Sequence, residues 1–276
     1  MAIRFSKMHG AGNHFVLIDL RHGQAAPDAA LARAMGNPHT GIGFDQMLSI
    51  EGSTRAECVA RYRIWNSDGS LAQQCGNGAR CVAAWLIRDG AASPPRFRLD
   101  SPAGVIDVDC LPDGRFELDM GRPEFEPAKI PLSMDAAADS HAAEVAGELI
   151  SFGAASMGNP HALLEVEDVD FAAVEKFGPA LQASGLFPEG VNVGFAQLIS
   201  REEIRLRVYE RGAGETLACG SGACAAVAIL ARQGKVGQQV AVHLAGGRLD
   251  IHWPGAGAPI RMAGPAAFVF EGEWLE

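Results

Sequence analysis

Apolar and polar residues alternate in short runs along most of the chain, and Gly, Pro or Asp bounds these runs. Residues 15–19, 58–65, 105–110, 116–120, 204–209, 240–244 and 268–270 follow the pattern. A period of two between turn residues predicts half-buried strands. Two segments break the alternation. Ala79, Val82, Ala83, Leu86 and Ile87 fall on one face of a 3.6-residue period, which Asp89-Gly90 ends. Ala223, Ala226, Val227 and Leu230 do the same, ended by Gly234. Both spacings predict helices. The second helix is alanine-rich and apolar nearly all round, as expected of a helix buried on most sides.

The two helices belong to a repeat. Residues 64–79, IWNSDGSLAQQCGNGA, align without a gap on residues 208–223, VYERGAGETLACGSGA. Cys75 falls on Cys219, Gly76 on Gly220, Gly78 on Gly222 and Asn66 on Glu210. GFDQML at residues 43–48 matches GFAQLI at residues 194–199, and Gly12-Asn13 matches Gly158-Asn159, in the same order along the chain. Three pieces in order indicate an internal duplication. The expected fold is therefore α+β: two pseudo-symmetric repeats, each a barrel-like, mostly antiparallel sheet wrapped around a central helix. The N-terminal repeat is expected to span residues 1–120, joined by a C-terminal strand within 266–276. The C-terminal repeat is expected to span residues 121–265. Residues 123–127, PEFEP, have the composition of a linker between them.

Composition narrows the class. The chain has 276 residues, 23 Lys plus Arg and 33 Asp plus Glu, for a formal charge of −10. That balance argues against a nucleic-acid partner, which needs clustered cations facing phosphates. No run of 18 apolar residues is present, so no membrane-spanning helix is expected. The first residues lack the apolar stretch of a signal peptide, and a cytoplasmic location is expected. Six cysteines occur, with close spacings of C-x5-C and C-x4-C. Neither matches the close pairs of zinc sites, so no metal is expected. Cys58, Cys81, Cys110 and Cys224 read as small buried hydrophobes.

Cys75 and Cys219 read differently. Each opens a helix as Cys-Gly-x-Gly. Glycines there allow positive φ and close approach to a ligand. The unpaired N–H groups and the dipole at a helix start favour an anion. A cysteine at that point is expected to have its thiolate stabilised. Two such thiols suit an epimerase or racemase, which removes a proton from one face of a carbon and returns one to the other. Helix N-termini can hold the substrate carboxylate as charge develops. No motif marks a Schiff-base lysine, a phosphate loop or a metalloprotease helix, so no cofactor is expected.

The set KMHGAGNHF, GIGFDQ, WNSDG, QCGNGARC, GNPH, VNVGF, YERGAGET and ACGSGACA resembles the diaminopimelate epimerase family over nearly the whole chain. The resemblance implies cofactor-independent interconversion of LL- and meso-2,6-diaminopimelate, for lysine and peptidoglycan precursors, by a homodimer. It makes Cys75 and Cys219 the acid–base pair. Gly76 and Asn77, with Gly220 and Ser221, match the backbone cradle for the carboxylate. Asn13, Gln46, Asn66, Asn159, Asn192, Glu210 and Arg211 match positions that line the substrate. His161 and Glu210 match positions that tune the thiols. His14 and Phe44 depart from the family pattern, which more often has Asp and Ala there. A proline or hydroxyproline racemase, a thiol redox or metal-binding protein and an amino-acid binding module are the competing readings. The Asn-, Glu- and Arg-rich set and YERGAGET favour a substrate with a second charged end.

Overall fold

The computed structural model describes residues 2–275. The chain divides into two units. The first runs up to Asp119 and resumes from Ala263, and the second runs from Met120 to Met262.

In the first unit the strands are β1 (Ile3–Gly10), β2 (Asn13–Asp19), β3 (Gln46–Glu51), β4 (Ala60–Asn66), β5 (Leu71–Ala72), β6 (Arg96–Ser101), β7 (Gly104–Cys110) and β8 (Phe116–Asp119). The helices are α1 (Ala29–Gly36) and α2 (Gly76–Arg88). In the second unit the strands are β9 (His141–Val145), β10 (Glu148–Ser156), β11 (Pro160–Glu165), β12 (Asn192–Ser200), β13 (Glu203–Glu210), β14 (Gly214–Thr216), β15 (Gln239–Leu244) and β16 (Gly247–His252). Its helices are α3 (Val174–Ala183) and α4 (Gly220–Arg232). The chain returns to the first unit within β17 (Arg261–Gly264) and ends in β18 (Ala267–Trp274), which pairs antiparallel with β1.

The two units repeat one pairing scheme. β1–β2 is an antiparallel hairpin, β2–β3 is parallel, β3–β4 is antiparallel and β4–β6 is parallel. The second unit follows with β10–β11, β11–β12, β12–β13 and β13–β15 in the same senses. The parallel steps bring widely separated segments side by side. Asn13 thus starts a strand beside Gln46, and His161 lies opposite Asn192. Gly12 and Gly158 turn the two hairpins at φ +85° and +88°, a left-handed conformation that favours glycine. Neither unit's strands close into a full ring among the described residues, so the expected barrel-like sheet around a central helix is present in an open form. Each remains an open, mostly antiparallel sheet with parallel steps.

The buried helices are α2 and α4. On α2, Ala79, Val82, Ala83 and Leu86 are fully buried against β1, β2 and β3, while Ile87 is half-buried at the edge. Removing Val82 and Leu86 from water contributes roughly 1.5–3 kcal/mol each. α4 packs on β10, β11, β12 and β16 and is buried almost throughout. The alternation did not point to α1 or α3, which are short. Asp28 caps α1, accepting from Leu31 N at 2.8 Å. Residues 123–127 are not a loose linker. Glu124 bridges to Ser156, and the Phe125 ring lies 6.1 Å from Trp253 and under the Arg232 guanidinium, so packing fixes a segment whose composition reads as extended and polar.

Candidate active site

Both helices start at a cysteine, and each cysteine is the N-cap residue with extended backbone. The glycines that follow do not need positive φ, contrary to expectation, because they already belong to the first helical turn. Space constrains the second glycine of each pair. A Cβ on Gly222 would lie 3.2 Å from Cys219 Cβ and 3.3 Å from its sulfur. One on Gly78 would lie 3.2 Å from Leu48 Cδ2.

In the first unit the Cys75 sulfur accepts from Gly78 N at 3.4 Å and donates to Asn13 Oδ1 at 3.7 Å. Asn77 Nδ2 donates to the same oxygen at 3.5 Å. Cys75, Asn13, Gly76 and Asn77 therefore form one cluster, with Asp45 and Arg80 behind it. Gln46 and Asn66 form a second group. They are cross-strand partners on β3 and β4, with Gln46 Nε2 donating to Asn66 Oδ1 at 3.0 Å and Asn66 Nδ2 donating to Ser70 Oγ at 3.0 Å. Gln46 Oε1 is buried with no hydrogen-bond partner among the described residues. Tyr62, fully buried on β4, has its hydroxyl pushed up by burial and, secondarily, by the Cys75 charge. The sequence reading passed over Asp45, Tyr62 and Arg80. A charged residue on the apolar face of α2 was the available signal for Arg80.

In the second unit one hydrogen-bonded chain passes through the cysteine. His161 Nε2 donates to Asn159 Oδ1 at 3.0 Å, and Asn159 Nδ2 donates to Ser221 Oγ at 3.4 Å. Ser221 Oγ lies 3.7 Å from Cys219 Sγ, which donates to Glu210 Oε2 at 2.9 Å. Thr216 donates to Glu210 Oε1 at 2.5 Å. Thr216 was not singled out, although it stands in YERGAGET. Asn192 and Arg211 meet at the end of β13: Asn192 Oδ1 accepts from Arg211 N at 3.0 Å, and Arg211 Nη1 donates to Glu189 O at 2.6 Å.

The expected low thiol is not found at Cys219. Burial first, then the Glu210 carboxylate, pushes this thiol well above its ordinary 9.0, outweighing the Gly222 N–H and Ser221. A helix start stabilises a thiolate only where no anion competes. Cys58, Cys81 and Cys224 are buried as expected, whereas Cys110 is only half-buried, and none of the six cysteines forms a disulfide.

Burial, helped by the Arg211 charge, lowers His161 to about 3. Its folded value lies below the ordinary 6.5, so its stabilising contribution is full above 6.5 and falls as the pH drops towards 3. Between pH 7.5 and pH 5 this group should cost roughly 2 kcal/mol of stability. Urea unfolding of wild type and His161→Gln at both pH values checks this: the pH dependence of the variant should be shallower by that amount.

Known structures share the fold. A hydroxyproline epimerase from Agrobacterium vitis superposes with a TM-score of 0.72 at 17% identity, covering 99% of this chain and 92% of its own. A phenazine biosynthesis protein of the PhzF family from Bacillus anthracis gives 0.71 at 15%, with full coverage of both chains. The fold is thus the duplicated α+β architecture of these proteins. Sequence resolves the family within it. The diaminopimelate epimerase family model matches residues 5–126 and 153–269. Diaminopimelate epimerases of Xanthomonas campestris pv. campestris and Xylella fastidiosa (strain M12) are 57% and 53% identical over 273 residues, covering 99% of this chain and 96% of theirs. The chain belongs to the diaminopimelate epimerase family, and with it to the isomerases.

Proposed function

We propose that the chain interconverts LL- and meso-2,6-diaminopimelate without a cofactor, with Cys75 and Cys219 as its two acid–base groups. The observation that carries this reading is the duplication itself: equivalent cysteines cap equivalent buried helices of equal length. Starting from the LL isomer, the Cys219 thiolate takes the α-proton and the Cys75 thiol gives one to the opposite face. One C–H bond breaks, one forms, and the thiols exchange protonation states. In the other direction the roles reverse. Glu210, 2.9 Å from the sulfur, is placed to accept the Cys219 proton and leave the thiolate. The first-turn N–H groups at Gly76 and Asn77, and at Gly220 and Ser221, suit the α-carboxylate and the charge that develops beside it.

Asn13, Gln46, Asn66, Asn159, Asn192, Glu210 and Arg211 take the remaining polar groups of the substrate in this reading. The unpartnered, buried Gln46 Oε1 supports an acceptor role, and the Arg211 guanidinium suits the remote carboxylate. The same family likeness carries a homodimer, and acid–base thiols fit a reducing compartment such as the cytoplasm. No helix among the described residues is long and apolar enough to cross a membrane.

The test is turnover of LL-diaminopimelate in deuterated water by dialysed enzyme with no addition. Deuterium should enter the α-position as the meso isomer appears. Activity that dialysis removes and pyridoxal phosphate or a metal restores would overturn the mechanism.

A further inference from the structure

The amides beside Cys75 are held between two opposite charges. Arg80 is fully buried on α2, donating through Nη2 to Asn77 Oδ1 at 2.6 Å and through Nε to Pro265 O at 3.2 Å. Asp45 lies at the other end and accepts from Asn13 Nδ2 at 2.6 Å and from His14 N at 2.9 Å. A guanidinium only donates and a carboxylate only accepts. Turning the Asn77 amide over would set its NH2 against Arg80. Turning Asn13 over would set its carbonyl against the Asp45 carboxylate. Both amides are therefore fixed in the same sense, and Asn13 Oδ1 is left facing Cys75 Sγ and Asn77 Nδ2.

From this geometry we infer that Asp45 is a positioning residue for Cys75: it clamps the Asn13 amide with its oxygen towards the sulfur. An oxygen there favours the S–H form, which donates to it, over the thiolate, which it repels. The Gly78 N–H on the other side of the sulfur favours the thiolate. Two contacts of opposite effect thus meet at the Cys75 sulfur, and the orientation of the Asn13 amide is fixed by Asp45. The contrast with Cys219, which has a carboxylate of its own, is direct. Ionisable groups that interact with Cys75 include Tyr62 and Cys81, both pushed up by burial and neutral near pH 7, and Arg80 stands behind Asn77. Lys7 and His14 stand around Asp45, with Lys7 Nζ 3.0 Å from His14 Nδ1 and His14 Nε2 3.3 Å from the carboxylate. Burial lowers both, with Asp45 opposing it.

The inference rests on the acid–base role proposed for Cys75, but its test does not depend on turnover. The rate of Cys75 alkylation by iodoacetamide is followed against pH by peptide mass spectrometry in wild type, Asp45→Ala and Asp45→Glu. In Asp45→Ala no acceptor holds the Asn13 amide, which is free to turn and offer its NH2 to the thiolate. The midpoint for Cys75 should move down by about half a unit to one unit. Asp45→Glu, which keeps the acceptor, should stay nearer to wild type. The shift should persist in 1 M salt, where the screening length is about 3 Å, because a turned amide touches the sulfur. An unmoved midpoint overturns the assignment. So does a shift that vanishes in 1 M salt, which would make Asp45 only a distant charge. A Cys75→Ser enzyme with wild-type turnover would instead overturn the two-thiol reading and leave this measurement standing.

Discussion

Replacing either helix-capping cysteine by serine should nearly abolish epimerisation. A hydroxyl is a far weaker acid than a thiol, so Cys75→Ser or Cys219→Ser leaves one face of the carbon without a group that can exchange a proton at neutral pH. General acid–base catalysis of this kind supplies about 10²–10⁴-fold in rate, and each variant should lose at least that much in kcat/KM. The fold should survive, because an N-cap serine is a good helix cap. Cys58→Ser is the comparison: that buried thiol stands just before β4, outside both cysteine-capped helices, and any cost should appear as stability rather than turnover per folded molecule. Circular dichroism and kcat/KM on the three variants check the set. A folded Cys75→Ser or Cys219→Ser protein that turns over at the wild-type rate would sink the two-thiol mechanism.

The second large effect is expected at Glu210. Its two carboxylate oxygens accept from Cys219 and from Thr216, at 2.9 and 2.5 Å. Glu210→Gln keeps the shape, removes the charge and turns one acceptor into a donor. The carboxylate raises the Cys219 thiol both by its charge and by its hydrogen bond, so its removal lowers the thiol. Burial remains and holds the thiol above its ordinary value. The alkaline rise in Cys219 alkylation should move to lower pH. kcat/KM should fall by about 10²-fold, because the group that accepts the thiol proton is gone. An unchanged alkylation profile and unchanged kcat/KM would remove Glu210 from the mechanism. Thr216→Val should move the profile less, since it leaves the carboxylate and its charge in place.

Much of this was legible in the residues. The 3.6-residue spacing of Ala79, Val82, Ala83 and Leu86 determined α2, because a helix that buries one face must repeat its apolar residues at that period. The gapless match of residues 64–79 to 208–223 determined the duplication, since equivalent elements keep equivalent spacing. It also marked Cys75 and Cys219, because a cysteine placed twice at the start of an equivalent buried helix is hard to explain by packing alone.

What the spacing could not hold was anything set by residues distant in the chain. The sheets stay open because strand closure depends on twist and pairing partners that no local pattern encodes. Residues 123–127 are docked by Trp253 and Arg232, more than a hundred positions away. The second glycine after each cysteine serves close packing rather than an unusual backbone angle, which only the neighbours Leu48 and Cys219 reveal. Electrostatics was the largest change. The helix start alone predicts a stabilised thiolate, yet Cys219 is raised because folding buries it beside Glu210. Sequence determined that a thiol would cap each helix. Tertiary structure decided which charges face it, and a buried sulfur responds to those before it responds to the dipole of its own helix.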